Sequence, residues 1–254
     1  MYQVTSTDGT TLEVDRAGTG PAVVLVTGAF NTKESSKDLQ AVLTDQFTVY
    51  EYDRRGRGQS GDTPLYEIAR ELEDLHAVIQ STGENAFVYG HSSGAIIALD
   101  AAASGVPMAK IVAYEPPLLF DHPPALATVE ALQRLIDASD RDGAAKLFMA
   151  GTGMAPEQIE WVSHAPFWPG MLGIAHTLPY DQALCVTGSA SSDWLKAISV
   201  PVLALAGGTS ASWAQEAAER IASVVDGAES RIVPGQNHAV DPAAVAPELR
   251  AFFV

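Results

Sequence analysis

Cysteine is nearly absent from this chain: Cys185 is the only one in 254 residues. An intrachain disulfide is therefore impossible, and no thiolate cluster can hold a metal. Basic residues are also scarce, 15 Lys and Arg against 31 Asp and Glu, for a formal net charge of −16. Nucleic-acid phosphates are met by clustered Lys and Arg, so a chain this acidic is not expected to bind them. The same balance disfavours docking on an anionic membrane surface. No stretch approaches the roughly 20 apolar residues of a spanning helix, and no membrane partner is expected. The opening Met1-Tyr2-Gln3-Val4-Thr5-Ser6 has neither a basic start nor a long apolar run, so no signal peptide is expected. The economical expectation is a cytoplasmic protein, with a mature secreted form lacking its signal as the alternative. A Walker loop, a G-x-G-x-x-G after a strand and a histidine pair at metal-ligand spacing are all missing, so neither cofactor nor metal is expected.

What is present is apolar material: 47% of the residues, with 18% charged. That excludes a disordered chain and suits one large domain or two small ones. No internal repeat, low-complexity tract or flexible linker divides it. A small-molecule substrate, neutral or cationic, fits the charge, and the oligomeric state (monomer or homodimer) stays open. Much of the negative charge is assigned to exposed helix faces, such as Glu67, Glu71, Glu73 and Asp74.

Two short alternating runs flank Thr7-Asp8-Gly9-Thr10, and Asp-Gly between such runs predicts a hairpin. Ala22-Val23-Val24-Leu25-Val26 is continuously apolar, as a strand buried on both faces requires. Comparable runs recur at Phe47–Tyr52, Ala86–Tyr89, Lys110–Tyr114, Val202–Ala206 and Ser230–Val233. Helical spacing lies between them, clearest at Leu65, Ile68, Leu72, Leu75, Val78 and Ile79. Strands alternating with helices predict an α/β fold, a mostly parallel sheet with helices on both faces.

The rhythm breaks between Tyr114 and Val202. Leu126, Val129, Leu132, Leu135 and Ile136 mark one amphipathic helix there, followed by an aromatic- and Met-rich region punctuated by Pro166, Pro169 and Pro179. The expected organisation is a single domain over 1–254, with a core of 1–119 and 196–254 and a helical lid insertion over about 120–195. Met149, Met154, Trp161, Phe167 and Trp168 are most simply that insertion's helix core, with some of them facing an apolar substrate pocket.

The strongest chemical signal is Gly90-His91-Ser92-Ser93-Gly94, which ends an apolar strand and passes into an Ala-rich helix. This is the G-x-S-x-G nucleophile elbow in its strand–turn–helix setting. The turn is sharp, so side chains at positions 90 and 94 would strike neighbouring backbone. The helix N-terminus beneath Ser92 offers unpaired N–H groups to developing negative charge.

With this motif the chain resembles the α/β-hydrolase fold superfamily, over nearly its whole length. Two further stretches carry the resemblance. Asp53-Arg54-Arg55-Gly56-Arg57-Gly58-Gln59-Ser60 is similar to the D-x-R-G-x-G-x-S loop of many lidded members. Gly235-Gln236-Asn237-His238 stands after the last strand, where the family places its histidine. The resemblance implies about eight strands, mostly parallel, with a helical cap inserted after the sixth. It implies a lidded serine hydrolase of esterase type.

A serine hydroxyl needs a base, and His238 is the best of the six histidines by position. His76 lies on the helix after Leu65, His91 sits beside Ser92 as a further pocket candidate, and His122, His164 and His176 fall in the insertion. The acid departs from the commonest family pattern, because the loop Gly207–Gln215 after the Val202 run holds no carboxylate. Glu115, in Tyr114-Glu115-Pro116-Pro117, ends the preceding strand, and some haloalkane dehalogenases place their acid there. Proline after Glu115 predicts an extended conformation for it. The alternative is that Glu115 caps local backbone donors while Asp241 or a water orients His238. For the oxyanion hole, the backbone N–H of Ser93 is one donor. The resemblance places the other at Ala29 in Val26-Thr27-Gly28-Ala29-Phe30, or at Phe30 if the register differs by one; Thr27 replaces the usual histidine. The arginine loop is expected to tie neighbouring turns together rather than bind phosphate.

The expected activity is cofactor-free hydrolysis of an ester, lactone or thioester of a mostly apolar small molecule through a Ser92 acyl-enzyme. Two alternatives stay open: acyl transfer, perhydrolysis or lyase chemistry by the same triad, or a slow-turnover ligand-binding protein of this fold. Ser92 is not a carboxylate, so the elbow excludes the dehalogenase and epoxide-hydrolase mechanisms.

Overall fold

Five of the six apolar runs become strands that bury both faces; Ser230–Val233 becomes an edge strand in which only Val233 is buried. In a computed structural model, which describes residues 1–121 and 123–254, they form one eight-stranded sheet in the order β1-β2-β4-β3-β5-β6-β7-β8. The strands are β1 (Tyr2–Thr5), β2 (Thr11–Gly18), β3 (Ala22–Val26), β4 (Thr48–Tyr52), β5 (Phe87–His91), β6 (Ile111–Tyr114), β7 (Val202–Gly207) and β8 (Glu229–Val233). The Asp8-Gly9 turn closes the β1–β2 hairpin with Thr5 opposite Thr11, and β2 pairs antiparallel with β4. From β4 to β8 every pairing is parallel.

Alternation along each central strand divides the core into two layers. Val24, Val26, Val88, Ile111, Ala113, Val202 and Ala204 face one layer, covered by α2 (Ile68–Thr82), α3 (Ser93–Ala103) and α9 (Ser212–Val224). Val23, Leu25, Tyr89, Val112, Tyr114, Leu203 and Leu205 face the other, covered by α1 (Lys37–Leu43) and α10 (Pro242–Phe253).

The chain crosses from β4 past β3 to β5, so the strand order reverses at β3. Ligand crevices in open α/β sheets lie outside the carboxyl ends of strands at such a reversal. The loops after β3 and β5 meet there, with Val26 beside Gly90 in register.

Between β6 and β7 the described residues form five α-helices: α4 (Leu126–Asp137), α5 (Arg141–Gly151), α6 (Pro156–Ser163), α7 (Trp168–Gly173) and α8 (Leu178–Ser189). They enclose a small core of their own around Leu132, Ala145, Met149, Ile159, Trp168 and Leu178. His122 lies outside the described residues.

Two expectations about α2 are overturned. Its apolar spacing runs back to Leu65, yet the helix begins at Ile68 and Leu65 is 83% exposed. Glu71 and Asp74, assigned to a solvent face, are fully buried. Glu71 pairs with Arg54 at 2.6 Å and Asp74 with Arg55 at 2.7 Å. Buried guanidinium groups need carboxylate partners, and that demand overrides the usual outward placement of charge.

Candidate active site

Ser92 caps α3 with φ 57° and ψ −128°, a strained conformation for a residue with a side chain. The glycines around it are required by close approach: a Cβ on Gly90 would lie 2.5 Å from Ala95 Cα, and one on Gly94 2.2 Å from the Val26 oxygen. The loop after β3 comes equally close, since a Cβ on Gly28 would lie 2.7 Å from Ser92 Cβ.

Ser92 Oγ stands 3.1 Å from His238 Nε2, and His238 Nδ1 stands 2.7 Å from Glu115 Oε2. Glu115 is fully buried, whereas the His238 side chain is 45% exposed. Burial alone raises a carboxyl pKa, but here hydrogen bonds from His238, Ser210 and the Gly207 amide outweigh it and hold Glu115 below its ordinary value. As a carboxylate, Glu115 only accepts hydrogen bonds, so His238 Nδ1 carries the proton and Nε2 is free to accept from Ser92. The geometry brings together the side chains expected from the sequence to be nucleophile, base and acid, at positions 92, 238 and 115.

Glu115 reaches this position by a conformation opposite to the expected one. Its φ is 45°, left-handed rather than extended, despite Pro116 behind it. The turn directs the carboxylate towards the loop after β7, where Gly207 N and Ser210 Oγ donate to Oε1 at 2.7 and 2.5 Å. That loop lacks a carboxylate of its own and instead supplies donors to this one. Asp241 is engaged elsewhere: its side chain accepts from the Ala243 amide and caps α10.

The loop holding His238 is tied down from beneath. Tyr114 Oη donates to the Asn237 carbonyl, and His91 Nε2 donates to that of His238, at 2.7 and 2.8 Å. Burial lowers the His91 pKa to about 4, helped by His238 nearby, so the ring is neutral at neutral pH. His91 therefore supports the backbone of the loop that carries His238. Trp213 packs its ring against His238 at 5.8 Å.

Among the described residues, the amides of Ala29, Phe30 and Ser93 have no hydrogen-bond partner. Phe30 holds φ 59° and packs edge-on against Phe148 at 5.5 Å, which joins the loop to the apolar core of the insertion. Met149 and Met154 belong to that core, as does Trp168, whose indole N–H meets Asp142 at 3.2 Å. Trp161 and Phe167 do not belong to it. They are 70% and 53% exposed, beside Glu157, Glu160 and His164 on the insertion's own surface. A helix spacing shows that residues share a face but not which way that face turns. His76 lies on α2 and His176 is half-buried in the insertion.

Sequence reasoning missed Ser210 and Tyr114, which hold Glu115 and the His238 loop. Ser210 had one discoverable signal: a buried carboxylate requires donors, and the loop after β7 is rich in small polar residues.

Residues 23–248 match the model of the Alpha/beta hydrolase family, and the chain belongs to it. An alpha/beta hydrolase from Sphaerobacter thermophilus DSM 20745 is 41% identical, with TM-score 0.94 over 100% of both chains. The enol-lactonase from Burkholderia xenovorans LB400 superposes with TM-score 0.74 over 99% of each chain, at 17% identity. The uncharacterized hydrolase YraK of Bacillus subtilis (strain 168) is 31% identical over 96 residues, 36% of this chain and 35% of YraK. The chain thus spans about a third of that curated relative's length. No helix among the described residues is long and apolar enough to cross a membrane.

Proposed function

We propose that the chain is a serine hydrolase that cleaves an ester, lactone or thioester of a mostly apolar small molecule. The observation that carries this reading is the continuous chain of hydrogen bonds from Ser92 Oγ through His238 to Glu115, at 3.1 and 2.7 Å. Ser92 Oγ attacks the substrate carbonyl carbon while His238 Nε2 takes its proton. Glu115 keeps the tautomer that leaves Nε2 free and stabilises the imidazolium. The oxyanion is received by the N–H groups of Ser93 and Ala29. His238 then hands the proton to the leaving alcohol or thiol as the tetrahedral adduct collapses. Water, deprotonated by the same imidazole, releases the acid. Nucleophile, base and electrostatic stabilisation all come from the chain, so the chemistry requires no cofactor.

The helices α4–α8 act as the lid, and Phe30, Phe148, Met149 and Met154 supply an apolar wall on its inner side. The enol-lactonase likeness supports a lactone or simple ester among substrates. The test is a series of p-nitrophenyl esters of rising chain length with a lactone panel, alongside labelling by a fluorophosphonate probe at neutral pH. Ester or lactone turnover with Ser92 labelled is the expected result. A wild-type chain that neither turns over any member nor labels at Ser92 refutes it.

A further inference from the structure

The loop after β3 turns three successive carbonyl oxygens onto three different side chains. Thr27 O accepts from Arg54 Nη1 at 3.2 Å, Gly28 O from Arg57 Nη1 at 2.6 Å, and Ala29 O from Asn31 Nδ2 at 2.7 Å. In a trans peptide the C=O and the following N–H share a plane and point in opposite directions. Among the described residues no peptide bond is cis. Holding a carbonyl oxygen therefore aims the next residue's N–H. Arg57 grips the Gly28–Ala29 peptide, whose N–H is the donor assigned to Ala29. A hydrogen bond from a guanidinium also draws electrons from that carbonyl, which strengthens the N–H as a donor.

Arg57 is itself anchored. It is 1% exposed, and its Nη2 donates to Asp181 Oδ2 at 2.7 Å. The other oxygen of Asp181 accepts from Arg54 Nη1 at 2.8 Å and from Ser93 Oγ at 2.6 Å. Burial raises the Asp181 pKa, but Arg57 and Arg54 outweigh it and hold the group below the usual carboxylate value. One buried carboxylate on α8 thus braces the arginine behind the first donor and the side chain of the residue carrying the second. The Asp53–Ser60 motif does more than join turns.

We propose that Arg57, held by Asp181, is a positioning residue that aims the Ala29 N–H at the developing oxyanion. This rests on the serine-hydrolase reading, and it requires no contact between Arg57 and substrate. Misaiming one donor weakens stabilisation of the transition state while leaving ground-state binding intact.

The experiment compares wild type with Arg57→Met and Arg57→Lys on a p-nitrophenyl ester, and measures inhibition by phenylboronic acid, whose tetrahedral adduct places an oxygen in the hole. Competent sites are counted by fluorophosphonate labelling taken to completion. Arg57→Met should lower kcat per labelled site about 10–100-fold, raise the boronate inhibition constant by a comparable factor, and leave KM within about threefold. Arg57→Lys keeps a charge beside Asp181 but lacks the two separate nitrogens, and should show a smaller split of the same kind. If Arg57→Met does not fold, Arg57→Lys decides alone. Values of kcat per site and boronate affinity within twofold of wild type overturn the proposal. So does a loss confined to the number of labelled sites, which is what a purely structural arginine would produce. A wild-type chain that is neither labelled nor active brings down the serine-hydrolase reading first, so the two failures are distinguishable.

Discussion

Ser210 donates its hydroxyl hydrogen to Oε1 of Glu115, the oxygen that does not face His238. The two carboxylate oxygens therefore have separate duties. Oε1 is saturated by Ser210 and the Gly207 amide, and Oε2 is left to orient the imidazole. A carboxamide in place of Glu115 must satisfy those two donors with its own oxygen. Its NH2 group then faces Nδ1 and forces the wrong tautomer, with the proton on Nε2 against Ser92.

Glu115→Gln should accordingly fold normally and lose about 10⁴-fold in kcat, the scale seen when an acid that orients a histidine becomes an amide. Steady-state kinetics beside a thermal melt is the check. Turnover within tenfold of wild type would remove Glu115 from the triad.

Replacing Ser92 separates chemistry from backbone strain. Ser92→Ala and Ser92→Gly should both lose on the order of 10⁶ in kcat. With φ at 57°, the glycine variant should be the more stable of the two by about 1 kcal/mol. Chemical denaturation of the two variants measures it, and equal midpoints would mean that the elbow stores no strain at this residue.

Acid sensitivity should run through His91. Its pKa falls from an ordinary 6.5 to about 4 in the fold. Between those values the unfolded chain binds a proton that the folded chain refuses, so stability is present above pH 6.5 and lost as pH falls towards 4. The full shift corresponds to about 3 kcal/mol at most. His91→Asn, which keeps a donor for the His238 carbonyl, should flatten this window in denaturation curves taken at pH 7 and 4.5. An unchanged slope assigns the acid loss to other groups.

Asp74→Ala should destabilise the chain by about 3–5 kcal/mol, because it leaves the buried Arg55 guanidinium without its two-point partner. Neither residue touches Ser92, His238 or the donor loop, so kcat per folded molecule should stay near wild type. A loss below 1 kcal/mol in urea titration would show that Asp8 and Thr63, which also bind Arg55, suffice.

The sheet and the Ser92–His238 pair were legible because each rests on local rules: apolar runs of strand length, glycines at a sharp turn, and chain order. Glu115 was legible through the family resemblance, which supplies both the usual acid position, empty of carboxylates here, and the alternative at the preceding strand end. Its left-handed backbone was not, because a pre-proline rule describes local preference and this turn is held by donors from a loop over ninety residues away. Glu71 and Asp74 were misread for a related reason. Helical spacing ranks residues by polarity, and only the arginines of a distant loop turn the acidic side inward. Trp161 and Phe167 were read as inward through hydrophobicity, yet large apolar side chains also occupy protein surfaces.

Asp181 lies 127 and 124 residues along the chain from the two arginines it joins. The helices between β6 and β7 are therefore not an interchangeable module. A chimera that borrows another protein's helices leaves the buried Arg57 with no carboxylate opposite it, and Arg54 with Glu71 alone, unless the graft carries an acid at the same place.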